Sequence, residues 1–381
     1  MHIVIAPNAF KHSLSGMAVA RAIKTGLEES GLQATYSLFP IADGGEGMME
    51  ILVNYWQGTY QTVWVQDPLG RPIEAMFGLV NQGKTAIIEL AQASGLKHVT
   101  HTERNPLKAS TYGTGQVIKA ALAGGATQFL IGLGNSATVD GGTGLLQALG
   151  ARFYDKNDQL MPVGAAPLAQ LARVDLTDLD PQLISGNITV VCDVDNPLLG
   201  EYGAARVFGP QKGADAAMVE ILEAGLAQLA AVTQLQLSKN IAALPHGGAA
   251  GGTAASLAAF LNAKLVAGTE YILKKTHFKE LLQKAGLLIT AEGGLDEQTL
   301  AGKGPYGVAK LAKNLKIPVI VLAGQIPAAI DLNRFTYFDA VFPIGTGPVT
   351  LAEALAQTTV NLNRTACQIG KLLQMSFRKQ V

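Results

Sequence analysis

The residues able to do chemistry fall in glycine-rich segments: ADGGEG (42–47), STYGTG (110–115), GNSATVDGG (134–142), CDVDNP (192–197), GPQKGAD (209–215), HGGAAGG (246–252), AEGGLDEQT (291–299) and GKGP (302–305). They mix glycine with Ser, Thr, Asp and Glu and hold few lysines. Glycine loops offer backbone N–H groups to phosphate, and more so where a helix follows. Carboxylates at strand ends suit Mg²⁺, which takes one or two of them together with phosphate oxygens and water. A phosphotransferase needs both features.

The longest such unit spans residues 128–150. It reads as a buried strand (Phe129 to Leu133), a small-residue loop (Gly134 to Gly142) and an apolar helix (Thr143 to Leu149) closed by Gly150. The loop supplies two hydroxyls and a carboxylate, Ser136, Thr138 and Asp140, beside backbone amides expected to be free for an anion. Gly132-x-Gly134-x-x-Ala137 matches the dinucleotide fingerprint formally, with Asp155 near the ribose-acid distance, but five more residues intervene before the helix. Gly302-Lys303 is followed by Gly304, so there is no Walker A loop. GxSxG and HExxH are absent, and His2, His12, His98, His101, His246 and His277 form no hydrolase or metal pattern.

Individual side chains carry two readings each. Asp193 ends the apolar strand ITVVC and is a catalytic carboxylate or a helix cap. Lys11 and Lys212 sit in loops bounded by glycine and proline, where they clamp phosphate or are solvated surface charges. Arg104, in ERNPL, orients a substrate carboxylate bidentately or braces its loop. Asp43 and Glu292 each follow a strand and have no Lys or Arg beside them in sequence, which makes them the candidate Mg²⁺ ligands.

These loops need a parallel sheet to hold them. His2–Ala6, the helix bearing Val19, Ile23 and Leu27, and Ala34–Phe39 give an opening βαβ rhythm, with loops at the carboxyl ends of the strands. From Gly58 to Leu90 the pattern alternates across two turns, an antiparallel meander that marks an inserted domain. The parallel rhythm returns at Leu287 and runs through Pro318–Gly324 and Ala340–Ile344, and Thr350 and Glu353 form a capping box for a last helix striped with Leu351, Leu355, Leu362, Ile369 and Leu373. The expected fold is α/β with two domains: residues 1–65 and 286–381 as a discontinuous flavodoxin/Rossmann-like parallel-sheet domain, and 66–285 as an inserted mixed α/β domain.

Composition bounds the partners. With 381 residues, 48% hydrophobic and 15% charged, the chain can bury a large core. Its formal net charge is zero and it has no basic run, which argues against nucleic acid. Cys192 and Cys367 lack metal or CxxC spacing, which points to a reducing cytoplasm. No basic n-region precedes the first strand and no apolar run reaches about 18 residues, so export and membrane insertion are not expected.

In order and wording, the motifs resemble the bacterial glycerate kinase family that lacks a P-loop. The likeness runs through APNAFKHSLS, IADGGEG, DPLGRPI, RNPLKASTYGTG, GNSATVDGGTGLLQALGARF, CDVDNPLLG, VFGPQKGA, GGAAGG and AEGGLDEQTLAGKGPYGVA. It implies two α/β domains with the active site in the cleft between them, and ATP- and Mg²⁺-dependent phosphorylation of D-glycerate, at the 2-hydroxyl. The expected catalytic set is Asp193, Lys11 and Lys212, with Asp193 as base, and the substrate set is Arg104, Asn105, Ser13 and Asn196. Gly134, Ser136, Ala137, Thr138, Asp140, Gly141, Gly142, Thr114 and Gly115 are expected at the nucleotide, and Asp43 and Glu292 at the metal. Asn8, Ala9, Asn135, Val139 and Ala291 depart from the family pattern, and Asn8 can be neither a base nor a charged ligand. The competing readings are a kinase for a related 2-hydroxy acid, a small-anion-binding protein without turnover, and, more weakly, an NAD-dependent oxidoreductase. The partners expected are small molecules, with a homo-oligomer left open.

Overall fold

The computed structural model describes residues 1–10, 12–42, 44–295, 299, 304–327 and 331–377. In chain order its strands are β1 (His2–Ile5), β2 (Thr35–Leu38), β3 (Thr59–Gln66), β4 (Pro72–Val80), β5 (Thr85–Glu89), β6 (Gln128–Gly132), β7 (Arg152–Asp155), β8 (Leu171–Asp175), β9 (Ile188–Cys192), β10 (Lys264–Ala267), β11 (Leu287–Gly294), β12 (Val319–Gln325) and β13 (Ala340–Pro343). The chain forms two compact units, Met1–Asp43 with Thr269–Val381, and Gly44–Gly268.

The first unit is built on a five-stranded sheet ordered β13-β12-β11-β1-β2, parallel throughout. Counted along the unit's own chain this is the 2-1-3-4-5 order of flavodoxin-like folds, whose ligand crevice lies where the order reverses, here between β1 and β11. Over Ile3–Ile5 and Leu287–Ala291 the two strands are buried on each face, as a doubly covered parallel strand must be. Ser15 starts the helix Gly16–Glu29 by accepting from the Ala18 N–H. That helix packs against Thr358–Phe377 so closely that a Cβ on Gly26 would lie 2.1 Å from the Asn363 carbonyl. The capping box at Thr350 and Glu353 is present, but it opens a short helix, Leu351–Ala356. The buried Leu362 and Ile369 of the expected stripe belong to the separate helix Thr358–Phe377.

The second unit holds a six-stranded sheet ordered β10-β9-β6-β5-β4-β3, in which β3, β4 and β5 form the antiparallel meander and the remaining pairs are parallel. The β3–β4 turn is set by Asp67, whose Oδ1 accepts from the Leu69 and Arg71 amides at 2.8 and 2.9 Å, with Gly70 at φ 86°. Helix Ala216–Leu237 is long and apolar enough to cross a membrane by length and composition, although Glu220, Glu223 and its glutamines interrupt the apolar run. Its Leu222, Leu226 and Leu229 are buried in this unit's core, while Glu220 and Ala224 lie exposed.

The division falls after Asp43 and before Thr269, where the sequence rhythm suggested residues 65 and 286. Helix Met48–Tyr55 explains the first shift: Val53 sits 2.2 Å from where a Cβ on Gly78 of β4 would stand, so the helix packs on the second unit's sheet. The second shift follows from Phe278, whose ring packs at a tilt against Phe39, centroids 4.6 Å apart, in the first unit's core.

Candidate active site

In the second unit, loops at the carboxyl ends of β6 and β9 interlock with the turn around Lys212 and the loop 246–252. A run of left-handed residues, Ala250, Gly251 and Gly252 (φ 51°, 64° and 92°), lets that loop touch 138–142 backbone to backbone. A Cβ on Gly251 would lie 2.1 Å from the Thr138 carbonyl, and the Gly251 carbonyl accepts from the Gly141 amide at 3.0 Å. On its other side the same loop holds the β9 loop: the Gly248 amide donates to the Asn196 carbonyl (2.9 Å), and His246 Nδ1 lies 2.8 Å from the Val194 carbonyl.

At the centre stands Lys212, which is 3% exposed. Its Nζ donates to Ser136 Oγ and to the Thr138 carbonyl, both at 2.7 Å. Burial pulls this ammonium down to about 7, with the Asp140 charge opposing. Thr138 Oγ1 is buried without a hydrogen-bond partner, and so is Arg104 Nε. Arg104 is next to the Lys212 turn, with Nη1 donating to the Gln211 carbonyl at 3.1 Å and its own carbonyl 2.6 Å from where a Cβ on Gly213 would be. An orphaned guanidinium donor and an orphaned hydroxyl beside a dry ammonium make a set suited to an anionic ligand.

Asp140 points inward. Its carboxylate accepts from Thr111 N and Oγ1 at 2.8 Å each, from Gly142 N at 3.1 Å and from Gly144 N at 3.3 Å. Burial raises its pKa, and those hydrogen bonds pull it back. Thr111 Oγ1 also accepts from Leu145 N at 2.9 Å. The amides at the start of helix Thr143–Ala148 are therefore satisfied by the chain itself, and the expectation that they are free for an anion does not hold. Ala137 N is likewise bonded, to the Ser94 carbonyl.

Several expected ligand residues serve packing. Gly115 admits the Leu145 carbonyl to 2.3 Å from its would-be Cβ, Thr114 Oγ1 lies 2.7 Å from Ser94 Oγ, and a Cβ on Gly141 would strike Leu229 at 2.5 Å. Gly134 lets the loop lie against Gly45, 2.3 Å from its would-be Cβ, and Gly142 (φ 74°) approaches Thr253. Asn135 takes a left-handed φ of 56°, a conformation asparagine tolerates, and its Nδ2 lies 3.4 Å from Glu46 Oε2. Asp193, half-buried at the end of β9, accepts from the Gly268 amide at the start of helix Gly268–Lys275. Asn196 Nδ2 donates to the Tyr202 carbonyl, and Asn105 Oδ1 accepts from Leu107 N within its own turn.

In the first unit Glu292 stands near the end of β11, at the crevice between β1 and β11, and accepts from Thr299 Oγ1 at 3.1 Å. The Asn8 amide donates to the Ala291 carbonyl nearby (2.8 Å), and Asn8 Nδ2 lies 3.1 Å from where a Cβ on Gly304 would be. Ser13 Oγ lies 2.8 Å from both the Leu355 carbonyl and Thr358 Oγ1, so that hydroxyl is engaged by helix ends. Lys11 and Asp43 lie outside the described residues. Among the described residues no three His, Cys, Asp or Glu side chains cluster as a metal cage.

Two buried groups were not among the residues singled out from the sequence. Thr111 is one. The other is Glu89, 3% exposed at the end of β5, whose Oε1 accepts from Met49 N at 2.8 Å and whose pKa burial raises. It holds the helix that follows ADGGEG, where Gly47 offers no capping side chain. An acid ending an apolar strand, TAIIE, is the signal that singled out Asp193 and applied equally here.

The sequence model of the glycerate kinase family matches residues 3–374. Glycerate kinase of Halalkalibacterium halodurans is 44% identical over 368 residues, 97% of each chain. Glycerate 2-kinase of Escherichia coli K12 is 42% identical over 378 residues, 99% of each chain. A crystal structure from Salmonella typhimurium LT2 assigned to glycerate kinase 2 superposes with a TM-score of 0.84 at 42% identity, covering 99% of both chains.

Proposed function

Because the chain belongs to the glycerate kinase family, we propose that it transfers the terminal phosphoryl group of ATP to the 2-hydroxyl of D-glycerate, releasing ADP and 2-phospho-D-glycerate. ATP is the donor that kinase chemistry in this family implies, and glycerate is the acceptor its relatives are named for. The observation that carries the reading in this molecule is the buried Lys212 ammonium on Ser136 and Thr138.

Phosphoryl transfer is chiefly a matter of holding the reactants and neutralising charge that spreads over the transferred oxygens. Lys212 supplies that charge from a site stripped of water, where a fixed cation acts more strongly than in solvent. Ser136 and Thr138 bring hydroxyls to the same anion. Arg104 offers its unsatisfied Nε–H to the glycerate carboxylate. Asp193 takes the hydroxyl proton; its bond to the Gly268 amide fixes the carboxylate. Glu292 fits Mg²⁺ as a hard oxygen donor at a strand end; with Asp43 it would hold an ion whose chemistry is to neutralise the phosphate oxygens. The assignments of Asp43 and of Lys11 rest on the sequence motifs. Asp140, Thr111, Thr114 and Gly115 are read as the frame of the site.

The neutral net charge supports small-molecule partners over nucleic acid, and the free Cys192 and Cys367 support a reducing cytoplasm. A ³¹P NMR spectrum of the product tests the regiochemistry: the resonance of 2-phosphoglycerate is expected, and that of the 3-isomer would overturn it.

A further inference from the structure

The DPLGRPI motif has no part in the chemistry above, yet its Arg71 is bonded through all three guanidinium nitrogens. Nε donates to Asp67 Oδ2 at 2.6 Å, Nη1 to Glu103 Oε1 at 2.7 Å and Nη2 to the His98 carbonyl at 2.8 Å. Asp67 is buried and held by the amides of its own turn, so the guanidinium stands on a fixed base. Glu103 is locked from its other side, where Oε2 accepts from Thr100 N and Oγ1 at 2.9 Å each. The same turn grips the segment again further on, where the Pro68 carbonyl accepts from the Ser110 amide at 2.9 Å. Residues 99–111, the segment so held, contain no helix or strand, and Arg104 lies between the points of attachment. A loop without a ladder of its own takes its position from the contacts made to it.

We propose that Arg71 is a positioning residue for glycerate: through Glu103 it sets the place of Arg104, an inference that rests on the reading of Arg104 as the partner of the glycerate carboxylate. The relay runs from the Asp67 carboxylate through the Arg71 guanidinium to the Glu103 carboxylate, and Arg104 is the next residue. Glu103 fixes the backbone on one side of Arg104, and the Gln211 carbonyl, accepting from Arg104 Nη1 at 3.1 Å, holds the side chain. Held at both ends, the buried Nε–H that lacks a partner keeps one direction. Stability alone does not account for the Arg71–Glu103 pair, because its side chains are 47% and 36% exposed and pairs so exposed add little. What a planar fork on three acceptors adds is orientation. Without it, glycerate binding would bear the cost of ordering the loop.

Steady-state kinetics of the full chain with Arg71→Met, Glu103→Ala, Arg104→Met and the double variants with Arg104→Met test this. Arg71→Met also strips a partner from the buried Asp67 and should lower the Tm, whereas Glu103→Ala leaves the Asp67–Arg71 pair in place. Each should raise the KM for glycerate about tenfold, the mark of a misplaced binding group, with the KM for ATP little changed. In the Arg104→Met background neither should raise the glycerate KM further, because both act through Arg104. A glycerate KM raised by Arg104→Met but unmoved by Glu103→Ala overturns the positioning role alone, and so do effects that add in full in the double variants. A glycerate KM unmoved by Arg104→Met overturns the carboxylate assignment and this inference with it.

Discussion

The Lys212 ammonium donates to the Ser136 hydroxyl at 2.7 Å from a position that is 3% exposed to water. A lysine so placed has surrendered its hydration for two oxygen partners, and burial brings its pKa down to about 7. In the free enzyme the cation is present below that value and is lost as pH rises through it. kcat/KM for ATP should therefore fall as pH rises past about 7, and Lys212→Met should lower kcat by roughly 10²–10³-fold, the range for one lost charge stabiliser.

The same group links stability to pH. Between about 7 and the ordinary value of 10.5 the unfolded chain binds the Lys212 proton and the folded chain does not, so this residue makes unfolding free energy rise with pH across that window. Denaturant titrations of wild type and Lys212→Met at pH 7 and pH 10 check the sign: the wild type should gain stability relative to the variant at the higher pH.

Ser136→Ala removes one of the two oxygen partners of the buried Lys212 ammonium, so a lower Tm is expected, and in the folded variant the ATP KM should rise several-fold more than that for glycerate. Replacing Gly141 by a bulky residue is a poorer probe, because a Cβ there meets Leu229 at 2.5 Å and φ is 61°. That variant should lose Tm first. If Ser136→Ala leaves the ATP KM unchanged, the phosphates lie elsewhere.

Thr111→Val removes a donor to Asp140 and the acceptor of Leu145 N together. The buried carboxylate is left short of one partner, which costs about 1–3 kcal/mol. Equilibrium urea unfolding should show that loss; an unchanged midpoint would mean that Asp140 does not frame the loop.

Much of this was legible in the sequence, for reasons that differ by residue. The βαβ rhythm and the meander follow from periodicity, the end of strand ITVVC placed Asp193 on a loop, and the glycine and proline of GPQKGAD placed Lys212 in a turn. The role of Asp140 was not legible, because a carboxylate in a glycine loop looks the same whether it faces a ligand or accepts four hydrogen bonds from its own chain. Gly115 and Gly141 were read as a phosphate cradle for the same reason: a glycine's absent side chain shows its purpose only when the neighbour filling the space is known. Thr111 and Glu89 act over 34 and 40 residues of separation, which no local pattern encodes.

Asp193→Asn keeps an acceptor for the Gly268 amide and removes the base. The variant should fold normally, bind ATP within a few-fold of wild type, and lose on the order of 10²-fold or more in kcat. Near-normal kcat would make Asp193 a cap for helix Gly268–Lys275.

The most direct measurement is coupled ADP release by the purified chain with ATP and Mg²⁺, with and without D-glycerate. ADP release that depends on D-glycerate and matches the phosphoglycerate formed mole for mole is predicted. ADP release that is absent, or the same with no acceptor present, would contradict a glycerate kinase.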